Sequence, residues 1–512
     1  MPYSNPVLPG FYPDPSICRV GSDYYLVTSS FQFFPGVPIF HSRDLVHWRQ
    51  IGHCLERESQ LDLEGCKSSL GIFAPTIRHH DGRFYMVTTN TNGFRNFFVW
   101  ADKPEGPWSE PVWLDWPGID PSLFFDDDGR VYLTGTGGFL GNEPLGIYQA
   151  EIEIDTGRLL SDRKFIWSGT GGKAPEGPHL YKIEGIYYLL IAEGGTEYGH
   201  MVTIARSDSP YGPFEICPGN PILTHRSTDS PIQATGHADL VETEDGSWWA
   251  VFLGIRPAPF MFRGLHHHLG RETFLAPVSW SSDGWPMIGD AGKAALTMDA
   301  ETLPLGQAAV RPPAKDDFEN GQLPFYWNFL RNPAEGSWTL DDRPGWLTLY
   351  GSAPSLDDAG APAFVGRRQQ HFDCAVSAKL SFDPVKDGEE AGLTVYRDEK
   401  FHYEIALAHR NGTRKVILRR RVGSLWKVEL EEDYDASEIV LGIEADASRY
   451  SFYFASPGGE RKTFGFGECS FLSSEVAGGF TGVYFAMYAT GNGQPCSTSA
   501  AFDWFEYIPT NE

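Results

Sequence analysis

One short stretch of the chain indicates its fold: Asp81-Gly-Arg-Phe-Tyr-Met-Val-Thr88, an Asp-Gly turn followed by two aromatic residues and an apolar run. This order of residue types is typical of the turn and second strand of a β-hairpin. Five copies of the pattern occur in the first half of the chain, at 21–28, 81–88, 128–135, 184–191 and 245–252. Aligned on their central aromatic residues, successive copies lie 47 to 61 residues apart, which is room for a four-stranded sheet with its loops. The repeat therefore predicts the blades of a five-bladed β-propeller.

Each copy follows a second short element that we interpret as the first strand of the same hairpin. These elements are Pro13-Asp-Pro-Ser-Ile17, Ala74-Pro-Thr-Ile77, Ile119-Asp-Pro-Ser-Leu123, Pro175-Glu-Gly-Pro-His-Leu180 and Gly236-His-Ala-Asp-Leu240. In a propeller they would be the innermost strands, and the residues at their start would face the central axis. We expect Asp14, Asp120, Glu176 and His237 to occupy equivalent positions and to converge at one mouth of the channel. The alternative is a run of unrelated hairpins without such convergence.

The repeat stops at Ala308-Ala-Val-Arg-Pro-Pro-Ala-Lys315, whose composition is that of a linker. Beyond it, alternating runs such as Trp346-Leu-Thr-Leu-Tyr350 have no helical period and predict a β-sandwich. We therefore expect an all-β protein with a propeller at 1–307, a linker at 308–315 and a sandwich at 316–512. Two large domains agree with the 512-residue length, because a single core stops growing near about 250–300 residues.

The composition excludes several classes of function. The formal net charge of −26 would repel phosphate backbones, so we expect no nucleic acid partner. No apolar run approaches the roughly 18 residues of a membrane helix, so we expect no membrane partner. The 7 cysteines form no C-x-x-C pair, which argues against a zinc ribbon and a disulfide framework. The start lacks the basic and apolar segments of a secretory signal, so we expect a cytoplasmic protein, and a homo-oligomer is compatible with the sequence.

Asp14, Asp120 and Glu176, each flanked by proline, are the sharpest chemical feature of the sequence. Converging carboxyl groups beside aromatic residues suit glycoside hydrolysis, in which one acid protonates the leaving oxygen and a carboxylate activates water or attacks directly. Like charges close together raise one pKa, so that the acid stays protonated near neutrality. Arg271 could balance the charge and hold a sugar hydroxyl, or it could be a surface residue paired with Glu272. For the two aspartates, the alternative role is that Asp-Pro simply starts a turn.

Several longer motifs resemble glycoside hydrolase family 43, particularly its two-domain β-xylosidases. The motifs are Asn5-Pro-Val-Leu-Pro-Gly-Phe-Tyr-Pro-Asp-Pro-Ser16, Phe34-Pro-Gly-Val-Pro-Ile-Phe-His-Ser-Arg-Asp-Leu-Val-His-Trp48, Pro175-Glu-Gly-Pro-His-Leu-Tyr181, Ala192-Glu-Gly-Gly-Thr196 and Leu269-Gly-Arg-Glu-Thr273. The resemblance covers nearly the whole chain and implies the same two folds, a propeller followed by a sandwich.

The resemblance also implies roles for individual residues in an inverting exo-hydrolase. Asp14 would be the general base, Asp120 would orient the site and modulate pKa values, and Glu176 would be the general acid. The positions that line the single-sugar pocket in the family match Phe31, Phe73, Ala74, Ile119, Thr196, His237 and Arg271. No cofactor is implied, although the resemblance allows a divalent cation such as calcium in the channel at His237.

One stretch departs from the family pattern and leaves the sugar preference open. Phe73-Ala-Pro-Thr76 stands where the best-known β-xylosidases have Trp-Ala-Pro-Asp. Glu193 is a rival for the acid role, but it lacks a matched position in the repeat. We interpret His266-His-His268 as loop or channel wall and Asp126-Asp-Asp-Gly129 as a hairpin turn, in both cases in preference to a metal site.

From these features we expect an enzyme that releases terminal xylose from short β-1,4-xylo-oligosaccharides. Within hydrolases the alternatives are an α-L-arabinofuranosidase acting on arabinoxylan and a retaining fructan hydrolase, although the latter carries Asn-Asp-Pro where this chain has Pro-Asp-Pro. A carbohydrate-binding protein without turnover is the alternative from another class. Inversion requires the carboxyl groups of the base and the acid to lie roughly 6.5–9.5 Å apart, which leaves room for a water molecule.

Overall fold

A computed structural model of the chain describes residues 2–139, 143–260, 264–304 and 312–510. These residues form β-strands and turns, with a 3-10 helix at Cys469–Leu472 and one turn of α-helix at Ser474–Ala477. The predicted all-β class is confirmed. Positions 308–311 of the predicted linker lie outside the described residues, and the domain boundaries stay predictions.

Five antiparallel sheets make up most of the first half, and each contains one copy of the repeat. In chain order their strands are Ser16–Val20, Asp23–Val27, Gly36–Ser42 and Arg49–Leu55; Thr76–His80, Arg83–Asn90, Arg95–Ala101 and Val112–Leu114; Ile119–Phe125, Val131–Gly137, Gly146–Glu153, Arg158–Leu159 and Lys164–Trp167; Glu176–Ile183, Ile186–Glu193, Met201–Ser207, Glu215–Ile216 and Leu223–Thr224; Gln233–Glu242, Trp248–Ile255, Glu272–Trp280 and Pro286–Ile288. The repeat motif always forms the second strand and pairs with the upstream element, which confirms the predicted hairpins.

The first strands of the five sheets form a closed ring. Each contacts the first strand of the next sheet, and that of the fifth sheet contacts that of the first. Apolar side chains fill the space between adjacent sheets, for example Val27, Ile39, Ile77 and Met86 between the first and second. Neighbouring sheets therefore share their cores, and the unrelated-hairpin alternative is wrong.

A polar network fills the centre of this ring. The buried carboxylate of Asp239 accepts hydrogen bonds from Ser16 Oγ at 2.6 Å, Tyr181 Oη at 2.5 Å and Arg78 Nη1 at 2.8 Å. Arg78 Nη2 lies 3.2 Å from the other Asp239 oxygen and 3.0 Å from His179 Nδ1. Burial would raise the pKa of Asp239, but the Arg78 guanidinium and the hydrogen bonds outweigh it and hold that pKa well below its ordinary value. The network joins the first, second, fourth and fifth sheets.

The second half forms two antiparallel sheets packed face to face. One contains Lys315–Asp316, Trp338–Thr339, Leu347–Leu349, Cys374–Ser381, Glu438–Ala445, Arg449–Ala455, Lys462–Glu468 and Ala500–Pro509; the other contains Ala363–Arg368, Glu390–Asp398, Phe401–Arg410, Thr413–Val422, Leu425–Asp433 and Tyr484–Thr490. Their facing sides bury one core that includes Val376, Ile405, Ile443 and Phe485. This arrangement is the β-sandwich that the alternating runs predict.

Contacts between the two halves fix the sandwich against the ring of sheets. Phe33–Phe34 pairs with Phe329–Leu330 across the halves, while Pro2–Ser4 pairs with Thr297–Asp299 and Ala258–Phe260 with Gly264–His266 inside the first half. The outer face of the six-stranded sheet packs on Phe11, Phe31 and Phe33. Among the described residues, no helix is long and apolar enough to cross a membrane.

We expect Asp239→Ala to lower the free energy of unfolding by roughly 3–5 kcal/mol, because the buried charge of Arg78 would lose its counterion. The control is Glu444→Ala, which removes an exposed ion pair with Arg461 and should cost less than about 1 kcal/mol. Urea unfolding followed by tryptophan fluorescence measures both variants. Equal, small losses would show that the network does not hold the ring.

Candidate active site

A pocket of about 360 Å³ opens at one end of the ring, and every site residue that the sequence predicted lines it. These residues are Asp14, Phe31, Phe73, Ala74, Ile119, Asp120, Glu176, Thr196, His237 and Arg271. The sequence did not single out the other lining residues, which are Phe94, Pro117, Gly118, Gly138, Phe139, Glu143 and Phe480.

Asp14, Asp120 and His237 occupy the same place relative to the paired residues of their sheets. Each stands two residues before a residue of the regular ladder, and each has a left-handed backbone, with φ values of 55°, 53° and 50°. Non-glycine residues rarely adopt this conformation, and they do so mainly where the surrounding structure imposes it. The repeated backbone bend turns these three side chains toward the same pocket.

The expectation that Glu176 shares this position is wrong by one residue. Glu176 pairs with Ala192 as Ile119 pairs with Thr136, so Glu176 is the counterpart of Ile119. Gly177, with φ of 57°, has the place equivalent to Asp120. A Cβ atom there would lie 2.9 Å from Cε1 of His237, so the imidazole excludes a side chain. The third acid therefore comes from the preceding residue.

Asp14 is buried and is held in its ionised form. Ser29 Oγ donates to Asp14 Oδ2 at 2.5 Å and Arg271 Nη1 donates to Oδ1 at 2.6 Å, while His237 Nδ1 lies 4.0 Å from Oδ1. Burial would raise the pKa of Asp14, but Arg271, His237 and Ser29 together hold it below its ordinary value. Asp14 is thus a carboxylate at neutral pH and can accept a proton.

Arg271 can bind Asp14 because Glu272, its sequence neighbour, is paired with a different arginine. Glu272 accepts two hydrogen bonds from Arg256, at 2.7 and 2.8 Å. Arg271 is buried and its Nη1 also lies 3.3 Å from Thr196 Oγ1. The alternative of a surface arginine paired with Glu272 is therefore wrong.

Burial raises the pKa of the remaining two acids, Asp120 and Glu176. Burial, with a further contribution from the Asp14 charge, raises the pKa of Asp120, although Gly177 N donates to Asp120 Oδ2 at 3.1 Å. Burial, followed by the charges of Asp120 and Asp14, raises the pKa of Glu176 to about 8. The pocket therefore offers a proton donor and a proton acceptor at the same pH, as acid–base hydrolysis requires.

Glu193, the rival acid, does not line the pocket. Its carboxylate is fully buried and accepts hydrogen bonds from Thr170 N at 2.9 Å, Gly172 N at 2.8 Å and Thr203 Oγ1 at 2.6 Å. Those bonds tie two loop residues to the fourth sheet. Glu193 has a structural role.

The sandwich half supplies part of the pocket wall through Phe480. Its ring centroid lies 6.2 Å from those of Phe31 and Phe73, which are 5.2 Å from each other. The Phe480 carbonyl accepts from Arg271 Nη2 at 3.5 Å, and Phe480 N donates to Ser69 Oγ at 2.9 Å. The pocket is thus complete only when both halves of the chain are in place.

The other motifs have structural roles. His267 Nδ1 lies 2.7 Å from Glu475 of the sandwich, and His266 and His268 on either side are buried. Asp126 accepts a backbone hydrogen bond from Gly129, which confirms the predicted turn. In the described part of the chain, no group of three or more His, Cys, Asp or Glu residues is arranged to hold a metal ion. A cation at His237 stays a prediction.

A protonated acid and an ionised carboxylate in one aromatic-walled pocket define a glycoside hydrolase site. The chain belongs to the glycosyl hydrolases family 43, whose sequence profile matches residues 3–286. Residues 315–508 match the beta xylosidase C-terminal Concanavalin A-like domain.

Known relatives match the chain over nearly its full length. It is 45% identical over 513 residues to a non-reducing end alpha-L-arabinofuranosidase of Bacteroides ovatus, covering 99% of this chain and 94% of the relative. It is 41% identical over 523 residues to a xylosidase/arabinosidase of Butyrivibrio fibrisolvens, covering 98% of each. The crystal structure of a xylan beta-1,4-xylosidase from Bacillus halodurans superposes with a TM-score of 0.92 at 38% identity, covering 99% of this chain and 100% of the other.

We expect Phe480→Ala to raise KM about three- to tenfold with a smaller change in kcat, because the ring contributes binding that does not depend on the reaction step. The control is Phe466→Ala, which removes an exposed ring elsewhere on the sandwich and should leave both constants unchanged. Steady-state kinetics on an aryl pentoside measure the effect. An unchanged KM in Phe480→Ala would mean that the sandwich does not contribute to substrate binding.

Proposed function

We propose that this glycoside hydrolase is exo-acting and inverting, and that it releases terminal xylose from β-1,4-xylo-oligosaccharides. The observation that carries the proposal is the opposite direction of the pKa shifts of two carboxyl groups in the pocket, buried Asp14 and half-buried Glu176. Arg271 and Ser29 keep the pKa of Asp14 low, whereas the pKa of Glu176 is raised to about 8. Their environments support the roles of base for Asp14 and acid for Glu176.

In the proposed reaction, Asp14 accepts a proton from a water molecule while the water oxygen bonds to the anomeric carbon. Glu176 donates its proton to the glycosidic oxygen as the bond between that oxygen and the anomeric carbon breaks. One proton is taken up and one is released, so the two carboxyl groups exchange protonation states in each turnover. Asp120 contributes a nearby charge that raises the pKa of Glu176.

Exo action is supported by the closed inner end of the pocket. We assign the five sheets as the blades of a five-bladed propeller, whose channel is filled by Arg78, Asp239, His179 and Tyr181. A sugar chain cannot pass through this network, which supports entry of the substrate by its end. The exposed rings of Phe94 and Phe139 lie at the open rim, where the leaving group would emerge.

A second candidate reaction, release of α-L-arabinofuranose, is supported by the names of the Bacteroides ovatus and Butyrivibrio fibrisolvens relatives. Phe73 fits either reaction, because its smaller ring in place of Trp alters the pocket wall without removing it. The test compares initial rates on xylobiose, xylotriose and arabinofuranosyl-substituted xylo-oligosaccharides. Faster release of xylose is expected, and release of arabinose alone would favour the second candidate.

We predict that proton NMR of the sugar first released from an aryl β-xyloside will show α-xylose, because single displacement on a β-linkage inverts the anomeric centre. The spectrum must be recorded before mutarotation. Initial formation of β-xylose would contradict the roles of Asp14 and Glu176 proposed here.

We predict that kcat/KM falls as pH rises through about 8, because Glu176 must be protonated to act as the acid. Activity should persist to low pH, since the lowered pKa of Asp14 keeps the base ionised there. Glu176→Gln should lose roughly 10²–10⁴-fold on xylobiose and should lose the basic limb on an activated aryl xyloside. Asp14→Asn should be inactive on both substrates, while Glu444→Gln serves as an unaffected surface control.

A further inference from the structure

The imidazole of His200 lies against the general acid, in a place where its two nitrogens have different surroundings. The side chain is fully buried beside the first strand of the fifth sheet. A Cβ atom on Gly236 would lie 2.3–2.5 Å from three atoms of the ring, so the imidazole packs flat on the Gly236 backbone. This close packing allows the ring little freedom to turn.

The hydrogen bond of one nitrogen determines the state of the other. His200 Nδ1 lies 3.2 Å from the carbonyl oxygen of Ala234, and a carbonyl can only accept, so Nδ1 carries the proton. Burial, aided by His237, lowers the pKa of His200 to about 3, so the ring is neutral. Nε2 therefore carries a lone pair and can only accept a hydrogen bond.

His200 Nε2 is buried and has no hydrogen-bond partner among the residues that the structure describes. It lies 3.8 Å from Glu176 Oε1. A buried polar atom without a partner costs about 1–3 kcal/mol, and an apolar side chain would fill the same space without that cost. If the protonated carboxyl of Glu176 moves about 1 Å toward His200, its O–H group reaches the Nε2 lone pair at hydrogen-bond distance.

We propose that His200 is a positioning residue for the general acid: Nε2 accepts a hydrogen bond from the protonated carboxyl of Glu176 and so fixes the orientation of that carboxyl before its proton passes to the leaving oxygen. The inference rests on the proposed role of Glu176. An acceptor at this place stabilises the carboxylic acid and repels the carboxylate, so it holds the proton on Glu176 until the leaving oxygen takes it.

Other charged groups also act on the two residues and must stay unchanged in a test. Those acting on Glu176 are Asp120, Asp14, Arg271 and Lys173. Those acting on His200 are His237, Arg271 and Asp14. A variant of His200 alone keeps all of them.

The experiment measures pH profiles of His200→Phe on two substrates, xylobiose and an aryl xyloside whose leaving group needs no proton. Phenylalanine keeps a flat ring against Gly236 but has no nitrogen. We expect the basic limb of kcat/KM to move down by about one pH unit, and the rate to fall about tenfold more on xylobiose than on the aryl xyloside. His200→Gln, whose amide oxygen can replace Nε2, should restore much of the wild-type limb.

The matched control is His225→Phe, which removes a buried histidine outside the pocket. His225 Nδ1 and Nε2 are each 2.9 Å from their partners, Thr235 Oγ1 and the Ala294 carbonyl oxygen. This variant should lose stability in thermal unfolding without a shift of the basic limb. The comparison separates loss of a buried histidine from loss of an acceptor for Glu176.

The inference would be overturned if His200→Phe kept the basic limb of kcat/KM at the wild-type pH and lost rate equally on the two substrates. If that variant does not fold, the ¹⁵N resonance of His200 Nε2 in the wild-type enzyme decides, because it must shift as Glu176 titrates near pH 8. A resonance that stays constant through that pH range overturns the inference as well. If Glu176→Gln keeps the basic limb, the acid assignment itself fails; if it loses the limb while His200→Phe keeps it, only the role of His200 fails.

Discussion

The buried ion pair between Arg78 and Asp239 is the interaction on which the geometry of the first half depends. A charge pair removed from water is stable only when its hydrogen-bonding groups are satisfied, so the pair demands partners from several strands at once. Ser16, Tyr181 and His179 supply them from the first and fourth sheets. Such a network can form only when the ring is closed, and it therefore links folding to the relative positions of the sheets.

The same network determines where two residues of the pocket, Asp14 and His237, lie. Asp14 stands two residues before Ser16, and His237 stands two residues before Asp239. Because the network fixes Ser16 and Asp239, it also fixes the positions of Asp14 and His237. The short, bent segment between each pair carries the left-handed residue that turns the side chain into the pocket. The geometry of the pocket is thus an extension of the packing at the centre of the ring, and the side chains of the network also close the inner end of the pocket.

The sequence predicted the hairpins and the convergence of the pocket residues because both depend on local features, turns and alternating strands that repeat. The predicted position of Glu176 was wrong by one residue. Aligning Pro-Glu-Gly-Pro with the Asp-Pro motifs matches the carboxyl side chains but takes no account of the bulge between Glu176 and His179. Counting back two residues from His179 would have given Gly177. No local sequence pattern predicts the positions of Phe480 and His200. Phe480 hydrogen-bonds to Ser69, which is 411 residues away in the chain, and only burial and spatial neighbours distinguish His200.

The opposite pKa shifts of Asp14 and Glu176 depend on Arg271 and on the partner of its sequence neighbour, Glu272. If Arg271 paired with Glu272, Asp14 would be a second buried acid without a counterion and would compete with Glu176 for the proton. Arg256 donates hydrogen bonds to both carboxylate oxygens of Glu272, at 2.7 and 2.8 Å. Arg271 therefore donates to Asp14, at 2.6 Å. A charge-assisted hydrogen bond of that kind stabilises the carboxylate of Asp14, so the proton in the pocket stays on Glu176. The overall charge of −26 has no part in this assignment, which depends on a few contacts inside the pocket.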